Sequence, residues 1–129
     1  MIKILFGIFI ILHGLVHLLY FGHSAGYFEL SPGLAWPDGS WAFNKLFGDA
    51  GTRSLANVLL FVTALGFVAA GVSVLAKLSW ARPLTIGAAA LSSLVYLLLW
   101  DGAFKQLPDK GVFAILINLV VIVLSFFLA

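Results

Sequence analysis

Four long apolar stretches, none with a Lys, Arg, Asp or Glu near its centre, constrain this chain most. A helix rises about 1.5 Å per residue, so about 20 residues cross the roughly 30 Å of hydrocarbon in a bilayer. The chain is 63% hydrophobic and 9% charged, which leaves too little polar surface for a water-soluble domain. The sequence therefore predicts an all-α polytopic membrane protein, an antiparallel four-helix transmembrane bundle forming one domain over residues 1–129. The predicted spans are about 2–22, 54–75, 83–100 and 112–129.

The linker over residues 23–53 is the only connection long enough to hold a further element. Within it, Ser40 can cap a short helix over 41–47, and Gly48 can end that helix. The segment is too apolar for a freely solvated loop, so we expect this short helix to lie in the membrane interface. We expect three aromatic side chains of the linker to form a lid over the bundle: Trp36, Trp41 and Phe47.

Charge placement indicates orientation and excludes one class of partner. Lys3, Lys77 and Arg82 lie in short segments on one face, without a nearby acid. The positive-inside tendency then predicts a multi-pass protein of the inner (plasma) membrane, with both termini in the cytoplasm and the long linker outside. No basic run is present, so no nucleic-acid partner is expected. The chain has no cysteine, which excludes disulfides and thiolate ligands.

The polar residues of the spans concentrate in the half of the bundle nearer the long linker. His13, His17 and Tyr20 follow an i, i+4, i+7 spacing and therefore share one face of the first helix. A polar group that faces hydrocarbon without a partner costs several kcal/mol, so these side chains should turn toward each other. The predicted ligand-binding residues are His13, His17, Tyr20, Asn57, Ser92, Ser93, Tyr96 and Asn118.

Several interpretations of these side chains stay open. They can simply join the helices, since Asn, Ser, Thr and His form hydrogen bonds across membrane bundles. They can also carry protons or bind a polar head group, because a neutral imidazole with Tyr96 and Asn118 suits the carbonyl of a quinone or lipid. Intramembrane ionisable residues are rare and often line functional cavities. The hydrogen-bonding, proton-carrying and ligand-binding interpretations all predict inward-facing side chains.

Metal and haem sites are not expected from the histidines. Two histidines at i, i+4 can bind Zn, Cu or Ni, but no third deep His, Cys or carboxylate exists. Any metal site would need a ligand from the mouth of the bundle, His23 first, with Glu29 and Asp101 as the other candidates. A haem with two histidine ligands normally takes one from each of two helices, whereas every histidine here is on or next to the first span.

The first span carries a family resemblance. Phe6-Gly7, followed by Leu-His-Gly-Leu-Val-His-Leu over 12–18, resembles the first helix of DoxX-like small bacterial membrane proteins. Ala64-Leu65-Gly66 in the second span also resembles the family in its pattern of small and apolar residues. The resemblance covers about half the chain. It implies a four-helix membrane protein and, for some members, association with quinone-linked sulfur oxidation. His17 stands where a lysine is common in that family, and a first-helix arginine is missing.

These observations lead to one functional hypothesis with alternatives. The chain is predicted to be a small integral membrane binding or accessory subunit with a polar pocket, for a lipid or quinone-like ligand. Membrane lipid, and a protein partner or second copy, are the expected partners. The alternatives are a DoxX-like membrane oxidoreductase component, an oligomeric transporter and a metal-binding membrane protein. A single copy offers a transporter neither broken helices nor charged pathway residues.

Overall fold

The chain folds entirely into helices. The computed structural model describes all 129 residues and contains no strand. The helices are α1 (Ile2–Ser24), α2 (Asn44–Leu75), α3 (Ala81–Leu99) and α4 (Val112–Leu128), with a short 3-10 helix at Leu107–Lys110. The predicted all-α class is confirmed.

Three of the four long helices have the length and surface of membrane-spanning segments. α1, α2 and α3 are each long and apolar enough to cross a bilayer, and α4 is an apolar helix of 17 residues. Large apolar side chains on all four helices point outward, as Leu19, Val62, Leu97 and Leu119 do. A water-soluble protein rarely exposes contiguous apolar surface of this extent. The chain is therefore a membrane protein.

Close backbone contact joins α1 to α2 in antiparallel order. A Cβ added to Gly14 would lie 2.5 Å from the Cβ of Phe67, and one added to Gly71 would lie 2.6 Å from the carbonyl oxygen of Gly7. Earlier residues of α1 thus meet later residues of α2. Small residues at such crossings let membrane helices approach closely enough for extensive van der Waals contact.

α3 and α4 are also antiparallel, and a single arginine joins their ends. The Arg82 guanidinium, in the first turn of α3, donates to the carbonyl oxygens of Ser125 (3.2 Å), Phe126 (3.2 Å) and Ala129 (3.3 Å). These carbonyls lie in the last turn of α4, where a cation offsets the negative end of the helix dipole. The most extensive packing is between α1 and α2. α3 packs against both α2 and α4, while α1 and α4 meet at few points.

The linker folds back onto the end of α3. The hydroxyl of Ser40 donates to the carbonyl oxygen of Leu98 (2.6 Å) and accepts from the backbone N–H of Phe43 (3.2 Å). Trp41 donates its backbone N–H to the carbonyl of Trp100 (2.8 Å) and its indole N–H to that of Leu97 (2.7 Å). These bonds satisfy carbonyls that the end of a helix otherwise leaves without partners.

The predicted short helix over 41–47 is shorter than expected and forms the start of α2 rather than a separate element. Residues 41–43 form a turn and residues 44–47 are helical. Gly48 then adopts φ 70° and ψ 177°, which breaks the helical backbone before α2 continues. The location of residues 41–47 in the membrane interface stays a prediction.

Candidate functional site

A closed set of hydrogen bonds joins α1, α3 and α4 inside the bundle. Nε2 of His13 lies 2.7 Å from Oδ1 of Asn118, whose Nδ2 donates to the hydroxyls of Ser92 (2.9 Å) and Ser93 (3.1 Å). Nε2 of His17 lies 2.6 Å from the Ser92 hydroxyl, and its Nδ1 lies 2.9 Å from the backbone carbonyl oxygen of His13. We call these five residues the histidine ring.

The partners fix which ring nitrogens carry hydrogen when both imidazoles are neutral. A carbonyl oxygen can only accept, so Nδ1 of His17 carries the hydrogen and its Nε2 accepts from the Ser92 hydroxyl. The amide oxygen of Asn118 also accepts, so Nε2 of His13 carries the hydrogen. The assignment for His13 depends on the Asn118 amide placing its oxygen, rather than its nitrogen, toward the imidazole. Together the two assignments close the histidine ring without any charged group or external ligand.

A layer of aromatic side chains covers the histidine ring on the linker side. The ring centroids of Tyr20 and Tyr96 are 5.0 Å apart, and those of Trp36 and Tyr96 are 6.1 Å apart. The His17 ring lies 5.5 Å from that of Tyr96, so the two layers are in contact. We call Tyr20, Trp36 and Tyr96 the aromatic layer.

The aromatic layer is not fully hydrogen-bonded. Tyr20 donates its hydroxyl hydrogen to the carbonyl oxygen of Pro108 (3.0 Å). Tyr96 and Trp36 are each 1% exposed, yet the Tyr96 hydroxyl and the Trp36 indole N–H have no partner. Buried polar groups in native proteins are nearly always paired, so each exception needs an explanation.

An apolar cavity of about 230 Å³ adjoins Tyr96 between α3, the following loop and α4. Its one charged lining residue is Lys110, whose buried ammonium lies 3.1 Å and 2.9 Å from the two carboxylate oxygens of Asp101. Trp100 and Phe104 form an aromatic wall, with ring centroids 5.6 Å apart. The lining residues are Tyr96, Leu97, Trp100, Phe104, Leu107, Lys110, Val112 and Ile115. We call this space the Tyr96 cavity.

The structure gathers most of the predicted site residues and separates a few. His13, His17, Ser92, Ser93 and Asn118 form the histidine ring, and Tyr20 and Tyr96 lie directly above it. Asn57 lies apart, in a surface groove with Phe21 and Phe61.

The three aromatic residues predicted as a lid occupy different environments. Trp36 is buried in the aromatic layer. Trp41 and Phe47 are 58% and 56% exposed, and neither lines the Tyr96 cavity.

Sequence reasoning missed Lys110. The available signal was an acid and a base, Asp101 and Lys110, at the two ends of the loop between the last two spans. Burial of the ammonium depends on how that loop folds over α3 and α4, which spacing along the chain does not reveal.

The three histidines are all engaged by protein groups. Beyond the histidine ring, Nε2 of His23 donates to the carbonyl of Trp36 (2.8 Å), and its Nδ1 accepts from the backbone N–H of Leu30 (3.2 Å). No group of three or more His, Cys, Asp or Glu side chains is arranged to hold a metal ion. Comparison with protein-family models, curated proteins and solved structures finds no match to this chain, so the family resemblance stays a prediction.

Proposed function

We propose that this chain is a small membrane binding or accessory protein that crosses the bilayer with four helices. In this proposal it holds the head of an apolar ligand, lipid or quinone-like, in the Tyr96 cavity. The 17 residues of α4 would extend about 25 Å, at the short end of what crosses the hydrocarbon. The outward-facing apolar side chains of α4, such as Leu119 and Val123, support a lipid-facing location.

The unpartnered Tyr96 hydroxyl carries this proposal. Leaving such a group buried without a hydrogen bond costs about 1–3 kcal/mol, so the folded chain gains when a ligand supplies a partner. The histidine ring directly below is complete and has no need of a ligand. Among the residues that line the Tyr96 cavity, Tyr96 is thus the one whose polar side-chain group lacks a partner.

The chemistry of the Tyr96 cavity favours a flat head with acceptor oxygens. The hydroxyl of Tyr96 can donate to a carbonyl, and Lys110 has three N–H bonds, of which Asp101 need not use all. Trp100 and Phe104 offer aromatic faces against which a planar ring can pack. A volume of about 230 Å³ is below the roughly 300–1,000 Å³ typical of complete ligand sites. The cavity therefore suits a head group whose apolar tail stays in the lipid.

A quinone titration tests the proposal. A short-chain ubiquinone is added to the detergent-solubilised protein, and quenching of tryptophan fluorescence is followed, because Trp100 lines the Tyr96 cavity. We expect Tyr96→Phe to weaken binding about tenfold, the loss of one hydrogen bond of about 1.4 kcal/mol. Tyr27→Phe is the matched control, because Tyr27 is 77% exposed and lies outside the Tyr96 cavity.

The same variants distinguish a lipid from a quinone. If the quinone does not bind but a co-purifying lipid, identified by mass spectrometry, is lost on Tyr96→Phe, the ligand is a lipid. If neither quinone binding nor lipid retention responds to Tyr96→Phe, the proposal is wrong.

A further inference from the structure

We infer a second site, on the outer face of α1 and α2, for a phospholipid whose head group carries a phosphate and a primary ammonium. Its polar part is a cavity of about 250 Å³ lined by His23, Glu29, Trp36 and Arg53, among others. Its apolar part is a groove of about 350 Å³ between Phe21 and Phe61. Both are separate from the Tyr96 cavity, which is lined by α3, α4 and the loop between them.

The polar cavity is held in shape by bonds that do not depend on a ligand. His23, at the end of α1, is fixed at both ring nitrogens by the linker backbone. Arg53, on α2, pairs with Asp38 through Nε (2.5 Å) and Nη2. A guanidinium has five N–H donors, so this pairing leaves others that can reach a phosphate. Trp36 also lines this cavity and has a buried indole N–H without a partner.

The polar cavity and the apolar groove follow one face of α2. Arg53, Asn57 and Phe61 are spaced i, i+4 and i+8, so they form one stripe. The stripe covers about 12 Å along the helix at about 1.5 Å per residue. It changes from a charge, through an amide, to apolar groups. A phospholipid presents the same order from phosphate, through ester, to acyl chain.

Asn57 is the link between the two parts. Its side-chain amide makes no hydrogen bond within the chain, and its Oδ1 is buried. It borders a groove whose other residues are Phe21, Val58, Phe61 and Val62. An amide beside hydrocarbon is costly without a partner. The Nδ2 group of Asn57 has two N–H donors, and a lipid ester carbonyl is an acceptor found at this depth.

Local charge selects the head group. Arg53 is accompanied by the carboxylates of Asp38, Asp49 and Glu29, so the surroundings are net negative and disfavour an anionic lipid. Glu29 forms no ion pair within the chain and lines the polar cavity. A primary ammonium supplies that carboxylate with both a charge and N–H donors. Phosphatidylethanolamine meets these requirements, whereas phosphatidylglycerol lacks the cation and phosphatidylcholine lacks the donors.

Lipid competition tests this site. The purified protein in detergent receives equal amounts of palmitoyl-oleoyl phosphatidylethanolamine, phosphatidylglycerol and phosphatidylcholine, and native mass spectrometry reports which lipid stays bound. We expect one bound phosphatidylethanolamine, with retention about tenfold lower in Arg53→Gln, because a charge-assisted hydrogen bond is lost. Asn57→Leu should lower retention of all three lipids by about fivefold, since each has the ester. Glu29→Gln should remove the preference for ethanolamine over choline.

Matched controls separate this site from general charge effects and from the Tyr96 cavity. Lys105→Gln removes an exposed cation that lines neither part of the site, and it should leave retention unchanged. Tyr96→Phe should also leave it unchanged, so failure here is distinguishable from failure of the proposed function. Circular dichroism checks that each variant is folded. Equal retention of the three lipids by the parent, or parent-like retention in folded Arg53→Gln and Asn57→Leu, would overturn the inference.

Discussion

The histidine ring and the aromatic layer lie about one helical turn apart, yet they differ in how completely their polar groups are paired. In the histidine ring, both neutral imidazoles, the amide of Asn118 and the hydroxyl of Ser92 bond to one another. In the aromatic layer, the hydroxyl of Tyr96 and the indole N–H of Trp36 have no partner. Both layers are buried and polar. The two layers therefore differ in the completeness of their hydrogen bonding and not in polarity. The histidine ring joins helices, whereas the aromatic layer keeps the unpaired groups on which our proposal rests.

Asn118→Leu is the substitution expected to weaken the fold most. It removes three hydrogen bonds and leaves the Nε2–H of His13 without an acceptor. The free energy of unfolding should fall by about 2–3 kcal/mol, measured by unfolding in mixed detergent with circular dichroism. Ser125→Ala is the control, since its hydroxyl bonds only to the carbonyl of Val121 in its own helix. Equal losses in the two variants would contradict the structural role of the histidine ring.

Ser92→Ala should have an intermediate effect. It removes the donor to Nε2 of His17 and one of the acceptors of the Asn118 amide, which keeps Ser93. The expected loss is about 1–2 kcal/mol of unfolding free energy.

Nitrogen NMR of the parent should show hydrogen on Nδ1 of His17 and on Nε2 of His13. The opposite tautomers would show that the bond directions assigned here are wrong.

Tyr20→Phe tests the paired tyrosine of the aromatic layer. It removes one hydrogen bond, to the carbonyl oxygen of Pro108 in the 3-10 helix. The loss should be about 0.5–1 kcal/mol, the usual net contribution of one hydrogen bond. The same detergent unfolding assay measures it, and an unchanged free energy would mean that this bond does not hold the loop.

Tyr96→Phe tests the unpaired tyrosine and should cause no loss of stability. Its hydroxyl has no partner to lose, and its removal ends the cost of a buried unpaired group, so in protein stripped of lipid the free energy of unfolding should rise by up to about 1–3 kcal/mol. Comparison of Tyr96→Phe with Tyr20→Phe separates the effect of losing a hydrogen bond from the effect of losing the hydroxyl itself. A loss above that of Tyr20→Phe, in protein stripped of lipid, would show that the hydroxyl is paired inside the chain.

The shared face of α1 shows what residue spacing alone can predict in this protein. Spacing along α1 predicts that His13, His17 and Tyr20 share one face, and all three are buried. Spacing does not reveal that Asn118 would bond to both His13 and Ser92, because that depends on how α4 aligns with α1 and α3. It also does not separate Trp36, which is buried, from Trp41, which is exposed, since both lie in an irregular linker.

The sequence by itself determined the helical class and the membrane location, because uninterrupted apolar stretches must satisfy their backbone hydrogen bonds internally. It also determined which side chains are too polar to face lipid. Only the tertiary structure decided which of those side chains satisfy one another and which stay unpaired. That outcome depends on distances of a few tenths of an ångström between residues far apart in the chain, such as His17 and Ser92. It depends equally on the loops, which bury Lys110 beside Tyr96 and leave a cavity there.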